Sequence, residues 1–163
     1  MNSGGKIESE FIIATSEKDF AIARKLFLEY AASLSFDLCF QDFDRELNEL
    51  EEMYNPEDGG IILLKSNELD DFVGCAGIRR IDRTTAELKR MYLREVSRGK
   101  GLGEQLLQLS IKLAKSLTYT KIRLDTMPSM TRAISLYRKY GYTEIEAYRY
   151  NPDINALFLE LSF

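Results

Sequence analysis

Three strand-like runs follow one another in the middle of this chain, and they constrain its fold more than any other feature of the sequence. Residues 61–65, 72–81 and 86–93 are short runs in which apolar side chains recur with a period near two. Only short polar turns, at 67–68 and 82–83, separate them. Strands joined by such turns pair antiparallel. The sequence therefore predicts an antiparallel meander at the centre of the fold.

Helices and further strands are predicted on both sides of this meander. Ser16 is a typical N-cap, and the apolar residues at 20–34 recur with a helical period. After the meander, one face of a helix is marked by Leu102, Leu106, Leu109, Leu113 and Leu117. The other predicted elements are a strand at 11–14, a helix at 42–53, a strand at 122–126, a helix at 131–140 that ends at Gly141, and strands at 143–147 and 156–163.

The predicted order is β-α-α-β-β-β-α-β-α-β-β, which belongs to the α/β class. The strand–helix–strand step at 86–126 makes two strands parallel, whereas the meander is antiparallel. The sheet is therefore expected to be mixed, with helices on both faces. The chain has 163 residues, of which 45% are apolar, and it shows no repeat and no linker. We expect residues 1–163 to form a single domain.

The composition excludes several classes of function. The chain has no histidine and only two cysteines, Cys39 and Cys75, which form no CxxC pair. Zinc sites and histidine-dependent triads or dyads are therefore excluded, no metal is expected, and both thiols are expected to be buried. A net charge of -4 argues against nucleic-acid binding, and no apolar segment is long enough to cross a membrane. We expect a soluble cytoplasmic protein.

Charge is distributed unevenly along the chain. Residues 79–100 contain eight basic and three acidic residues, a net charge of +5. Residues 42–71 contain eleven acidic and two basic residues, a net charge of -9. The first stretch is expected to attract anions and the second to attract cations.

A glycine-rich segment, Arg98-Gly99-Lys100-Gly101-Leu102-Gly103, joins the basic stretch to the longest predicted helix. Alternate glycines let the backbone turn tightly and approach a ligand, while the N–H groups and dipole of a helix start attract an anion. Its spacing fits neither a Walker A loop nor a GxGxxG dinucleotide loop. We interpret the segment as a phosphate-binding loop; the alternative is a helix start that only reverses the chain.

Several segments resemble one known family. The segment 98–103 fits the Arg/Gln-x-x-Gly-x-Gly/Ala motif of the GNAT superfamily of N-acetyltransferases, and residues 87–93 resemble that family's fourth strand. Residues 133–142, AISLYRKYGY, are similar to its A-x-x-L-Y-x-x-x-G-F element. The first 55 residues match by topology alone. Met130 departs from the pattern, because the family often has there an asparagine that contacts coenzyme A.

The resemblance implies a GNAT-like, mostly antiparallel sheet and an N-acetyltransferase that uses acetyl-CoA. Acetyl-CoA would lie where the fourth and fifth strands separate, with its pyrophosphate on the loop and its pantetheine arm along the fourth strand. The N–H of Met91 would face the thioester oxygen, where a fixed donor stabilises developing charge. The implied binding residues are Met91, Tyr92, Leu93, Arg98, Gly99, Lys100, Gly101, Leu102 and Gly103.

An acetyltransferase of this kind needs a general base, because an amine of pKa near 10.4 is neutral in only about one molecule in two thousand at pH 7. In the absence of histidine the candidates are carboxylates. Glu87, on the strand expected to line the acetyl site, is the first candidate, directly or through a water molecule. Asp125, on the next strand, is the second. The alternative for Glu87 is a structural salt bridge to Lys89 or Arg123.

Tyr137 matches the family's tyrosine that protonates the departing thiolate. A tyrosine keeps its proton at neutral pH and can donate it to a nearby sulfur atom. A core tyrosine beside Ile134 and Leu136 would look the same in sequence. A purely structural role is therefore the alternative.

The resemblance implies that the acceptor is a primary amine of a small molecule or a peptide, bound by the first helices and the last hairpin. The candidate residues there are Phe36, Phe40, Gln41, Asp42, Phe43, Tyr148, Tyr150, Asn151 and Pro152. Two other functions stay open, an acyl-CoA-binding module without turnover and a structural or interaction domain. A homodimer is compatible with the sequence.

Overall fold

The computed structural model describes residues 9–35, 37–38 and 42–163. The strands that it forms are β1 (Ser9–Ile13), β2 (Gly60–Ser66), β3 (Asp71–Arg80), β4 (Thr85–Leu93), β5 (Lys121–Thr126), β6 (Thr143–Ile145) and β7 (Leu157–Ser162). The helices are α1 (Glu17–Ser33), α2 (Phe43–Asn48), α3 (Leu50–Met53), α4 (Leu102–Ser116) and α5 (Thr131–Lys139). A 3-10 turn, Glu95–Ser97, follows β4.

All of these strands belong to one sheet, in the order β1-β2-β3-β4-β5-β7-β6. Each neighbouring pair is antiparallel except β4 and β5, which are parallel. The helix α4 connects these two strands, as a parallel pair requires. The predicted α/β class and the mixed, mostly antiparallel sheet are confirmed.

Successive residues of the central strands pack into two hydrophobic cores, one on each face of the sheet. On β2, Ile62 and Leu64 belong to the core that includes residues of α4 and α5. Ile61 and Leu63 belong to the core that includes residues of α1, α2 and α3. Helices therefore cover both faces, as predicted, and the sheet is buried between them.

The helix predicted at 42–53 is divided in two. The N–H of Glu49 is shared between the carbonyls of Arg45 and Glu46, and this bifurcated bond is common at a helix end. A separate helix, α3, begins at Leu50 and consists of a single turn.

The buried face of α4 also differs from the predicted row of leucines. Leu109, Leu113 and Leu117 are only partly buried, whereas the small residues Ser110 and Ala114 are fully buried. Small side chains let a helix approach a sheet closely. The spacing of the leucines alone therefore predicts the buried face of α4 incorrectly.

At two helix ends and at one cysteine, the structure agrees with the predictions made from the sequence. Asp19 donates its N–H to Ser16 Oγ (3.1 Å) and accepts the N–H of Ser16 (3.2 Å), which forms a capping box at the start of α1. Gly141 follows α5 with a φ of 93°, as a helix-ending glycine does. Cys75 is buried, and burial raises the pKa of its thiol. Cys39 lies outside the described residues.

Candidate active site

The strands β4 and β5 separate near the middle of the sheet. Their pairing ends at Glu87 and Arg123, although β4 continues to Leu93 and β5 to Thr126. On its other side, β4 stays paired with β3 as far as Leu93. Beyond Glu87, the edge of β4 that faces β5 therefore has backbone groups available for a ligand.

The backbone of Leu93 is directed towards this separation. Arg94 donates its N–H to Val73 O in β3 (2.8 Å), and backbone directions alternate along a strand. The carbonyl of Leu93 accepts a hydrogen bond from Arg98 Nε (3.0 Å). The guanidinium of Arg98 is thereby fixed beside the open edge of β4.

A β-bulge in β4 lies beside the separation. The register between β3 and β4 shifts there, and Arg90 has a left-handed φ of 56°. Arg90 Nε lies 2.8 Å from Glu46 Oε2 of α2, and its guanidinium lies over the ring of Phe43. Glu46 also accepts the hydroxyl hydrogen bond of Tyr54 (3.1 Å). This buried contact offsets the backbone strain at Arg90 and holds the bulge in place.

Replacing Glu46 should destabilise the fold strongly, because Arg90 would stay buried without this carboxylate. We expect Glu46→Ala to lower the free energy of unfolding by about 3–5 kcal/mol, measured by denaturant unfolding. The matched control is Glu49→Ala, which removes the more exposed pair of Glu49 with Arg45 (3.0 Å). That change should cost about 0.5 kcal/mol. Equal losses in the two variants would contradict a special role for the buried pair.

The glycine-rich loop forms the turn into α4. Gly99 and Gly101 both have a φ of 77°, a region that other residues enter only with strain. Gly101 is the N-cap residue, and no side chain in the described part of the chain caps α4. The N–H groups of Leu102 and Gly103 therefore lack intrahelical partners, and both residues line a cleft. This arrangement can bind an anion.

The space around the glycines fits a ligand rather than internal packing. A Cβ atom on Gly99, Gly101 or Gly103 would meet no described atom within 4 Å. Gly103 also lies inside α4, where glycine is a poor helix former. No contact within the protein therefore requires a glycine at 103, and a side chain added there would point into open space rather than into the core.

The two cations of the loop lie in different places. Arg98 lines the cleft. Lys100 Nζ lies 3.6 Å from Glu68 Oε2 in a largely exposed pair, and its contribution is therefore a screened, long-range attraction.

Tyr137 of α5 also lines the cleft. Its side chain is buried and its ring packs against Tyr142, with 5.5 Å between the ring centroids. Burial raises the pKa of the Tyr137 phenol, so the hydroxyl stays protonated at neutral pH. Met130 lines the cleft as well, and its sulfur accepts a hydrogen bond from Thr126 Oγ1 (3.4 Å). Tyr137 thus belongs both to the core and to the cleft.

Glu87 lies in a buried group of charges below the separation and is only 1% exposed. Tyr148 donates its hydroxyl hydrogen bond to Glu87 Oε2 (2.6 Å), and Arg79 Nε donates to Oε1 (3.1 Å). Lys89 Nζ lies 3.7 Å from Oε1, and Arg149 Nη1 lies 3.4 Å from Oε2. The salt bridge to Lys89 that the sequence suggested is therefore present. Among the described residues that line the cleft, Lys89 is included and Glu87 is not.

Asp125 lines the cleft from β5. It accepts hydrogen bonds from Arg149 Nη2 at Oδ1 (2.6 Å) and from Asn151 Nδ2 at Oδ2 (3.2 Å). Since Arg149 also contacts Glu87, it links the carboxylates of β4 and β5 across the separation. The two candidate bases thus belong to one connected group.

Sequence reasoning missed Arg149 and Arg79 as partners of Glu87. Arg149 lies between β6 and β7, where the chain has no regular structure, so periodicity could not predict its direction. Arg123, the other partner considered for Glu87, pairs instead with Glu160 of β7 (2.7 Å).

Lys89 completes the buried group. It is 4% exposed and lines the cleft. Its pKa is lowered to about 7, first by burial and then by the charge of Arg90, while Glu87 raises it. A lysine in this state can gain or lose a proton near neutral pH.

These features belong to one cleft of about 910 Å³. It extends from Gly101 through the separation of β4 and β5 to Lys89 and Asp125, and reaches α1 at Tyr30.

The residues predicted for the acceptor region lie in different environments. Asn151 lines the cleft, Tyr148 contacts Glu87, Phe43 packs under Arg90, and Tyr150 is 74% exposed. Asp42 and Pro152 are exposed. Phe36, Phe40 and Gln41 lie outside the described residues.

Comparison with known proteins assigns the family. The sequence model of the acetyltransferase (GNAT) family matches residues 24–142, which include the loop and α5. The chain belongs to the GNAT family. An uncharacterized N-acetyltransferase of Schizosaccharomyces pombe is 32% identical over 139 residues, which cover 85% of each chain. The resemblance inferred from the motifs is confirmed, and the chain is an acyltransferase.

Solved structures of GNAT proteins share the fold. An acetyltransferase from Streptococcus agalactiae has a TM-score of 0.76 at 22% identity, covering 95% of this chain and 98% of that one. A GNAT acetyltransferase from Elizabethkingia anophelis with acetyl-CoA bound has a TM-score of 0.70 at 23% identity, covering 97% and 100%.

The described residues form no helix that is long and apolar enough to cross a membrane. Their cysteine, aspartate and glutamate side chains form no group of three or more that could hold a metal ion.

Proposed function

We propose that this GNAT protein transfers an acetyl group from acetyl-CoA to a primary amine of a small molecule or a peptide, by direct attack while both substrates are bound. The observation that carries the proposal is the continuous cleft. It joins an anion-binding helix start at Gly101 to a buried group of acids and bases around Lys89 and Asp125. One end suits a pyrophosphate, and the other suits the proton transfers of amine acylation.

The loop and β4 would hold acetyl-CoA. The free N–H groups of Leu102 and Gly103 would bind the pyrophosphate, with Arg98 adding positive charge. The open edge of β4 at Met91 to Leu93 would pair with the pantetheine arm, and the N–H of Met91 would stabilise charge on the thioester oxygen. Bound acetyl-CoA supplies a thioester whose carbonyl carbon the amine attacks.

Tyr137 would protonate the departing thiolate. It lines the cleft, and burial keeps its phenol protonated, which is the state that an acid requires. Its packing against Tyr142 fixes the ring and so limits the positions of the hydroxyl.

Glu87 would act as the general base through an intermediary. Its carboxylate is buried and does not line the cleft, so a substrate amine in the cleft would not contact it directly. A group between Glu87 and the amine must therefore carry the proton. Asp125 is the second candidate, since it lines the cleft, but Arg149 and Asn151 already donate hydrogen bonds to both of its oxygens.

The proposal is tested by titration with coenzyme A and by thiol release from acetyl-CoA over a panel of amines. We expect binding of coenzyme A and amine-dependent thiol release above buffer hydrolysis. Binding without release would indicate an acyl-CoA-binding module instead. Absence of binding would contradict the assigned site.

Removing the Tyr137 hydroxyl should slow turnover without stopping it. A thiol of pKa near 8.5 is a tolerable leaving group even without an acid, so we expect Tyr137→Phe to reduce kcat by about 10- to 10³-fold. Steady-state thiol release measures the effect. Tyr142→Phe, which removes the hydroxyl of the ring packed against Tyr137, is the control and should retain turnover. Wild-type turnover and an unchanged pH profile in Tyr137→Phe would leave Tyr137 a core residue only.

A further inference from the structure

Lys89 both contacts Glu87 and lines the cleft. Its ammonium nitrogen lies 3.7 Å from Glu87 Oε1, and its side chain lines the cleft that Glu87 does not reach. A buried lysine is costly for a fold unless its charge is paired or removed. The position on β4, two residues after Glu87, places it on the same face of the strand.

The charges around Lys89 come from several elements. Glu87 and Arg90 lie on β4, Arg79 on β3 and Arg149 on the segment after β6, and each of them affects the proton affinity of Lys89. Glu87 is the acidic member of this set and the three arginines are basic. Further out, Glu46 of α2 pairs with Arg90, and Asp125 of β5 pairs with Arg149.

These opposing effects bring the pKa of Lys89 close to physiological pH. Burial and the three arginines lower its pKa and Glu87 raises it, with a result of about 7. An ordinary lysine, with a pKa near 10.4, would be charged and unable to accept a proton. Lys89 can accept one near pH 7 and hold it next to Glu87.

We propose that Lys89 is the group that takes the proton from the acceptor amine, with Glu87 stabilising the ammonium that forms. This role rests on the proposed function and identifies the intermediary that it needs. Lys89 is thus a catalytic residue that touches the substrate, and Glu87 acts through it.

The proton balance of the reaction is complete with these groups. Neutral Lys89 takes one proton from the substrate ammonium, and the resulting amine forms a C–N bond to the acetyl carbon as the C–S bond breaks. Tyr137 protonates the thiolate, and the second amine proton restores the Tyr137 phenol. Lys89 then releases its proton to solvent. The products are the amide, coenzyme A as its thiol and one proton.

The test compares pH profiles of kcat/KM for Lys89→Met and Lys89→Arg with the wild type. Methionine is similar in length and uncharged, and arginine keeps the positive charge beside Glu87 but cannot lose its proton. In the wild type we expect activity to rise with pH and level off above about pH 7. In both variants kcat/KM at pH 7.5 should fall by about 100-fold and rise steadily with the fraction of neutral amine.

Two further measurements separate chemistry from structure. Lys65→Met, which removes a lysine paired with Asp70 on β2 (2.9 Å), should leave the profile unchanged. Arg79→Gln should move the inflection of the profile to higher pH, because Arg79 lowers the pKa of Lys89. A purely structural Lys89 predicts no such shift.

The outcomes are distinguishable. An inflection near pH 7 that persists in Lys89→Met, with coenzyme A binding intact, would overturn the role of Lys89 but leave the proposed function standing. A wild type that binds coenzyme A yet releases no thiol with any amine would overturn the proposed function and this role with it. Loss of the inflection in both Lys89 variants, with coenzyme A affinity within a few-fold of wild type, would support the role.

Discussion

Replacing Gly103 by glutamate is expected to weaken coenzyme A binding strongly while leaving the fold at least as stable. A side chain at this position has room in the protein, because a Cβ there meets nothing within 4 Å. Glutamate is also a better helix former than glycine and is favourable in a first helical turn. The same carboxylate would occupy and repel the pyrophosphate. We expect affinity to fall by about 100-fold or more, which is about 2.7 kcal/mol of binding free energy.

Gly103→Ala is the matched control for this experiment. It adds a methyl group without charge and fits the Gly/Ala pattern of the family motif, so affinity should stay within a few-fold of wild type. Calorimetric titration with coenzyme A measures the affinities, and thermal unfolding confirms that both variants fold. Undiminished affinity in a folded Gly103→Glu protein would place the pyrophosphate elsewhere.

Much of this fold follows from signals that lie close together in sequence. Ser16 and Asp19 determine the start of α1 through side-chain contacts over three residues, and Gly141 ends α5 through its own φ. The loop at 98–103 was identified in the same way, because its glycines and its helix start are adjacent. Element order and the glycine-rich turn into α4 could therefore be predicted from the sequence.

Apart from Lys89 and Arg79, the partners of Glu87 could not be predicted, because they are distant from it in the chain. Tyr148 reaches Glu87 across 61 residues, from a segment without regular structure. The bulge at Arg90 depends on Glu46, 44 residues earlier. Such contacts depend on how the helices and loops pack on the sheet. Neither periodicity nor motif spacing predicts this packing.

Replacing Glu87 by glutamine should reduce turnover strongly and leave coenzyme A affinity within a few-fold of wild type. Glutamine keeps the shape of the side chain and removes the negative charge that stabilises a protonated Lys89. Because Glu87 raises the pKa of Lys89, its loss should make Lys89 a weaker base and move the inflection of the pH profile below that of the wild type. General-base losses are about 10²- to 10⁴-fold, and we expect a value in this range near pH 7.

Alkaline pH should restore part of the activity of Glu87→Gln, since free amine accumulates as pH rises towards about 10.4. Glu160→Gln is the matched control, because Glu160 is another strand carboxylate paired with an arginine (2.7 Å), although it is partly rather than fully buried. It should keep wild-type turnover. The measurement is steady-state thiol release between pH 6 and 10, with coenzyme A titration of each variant. A loss of equal size at every pH would indicate a structural role for Glu87, and undiminished turnover would show that Glu87 takes no part in the proton transfer.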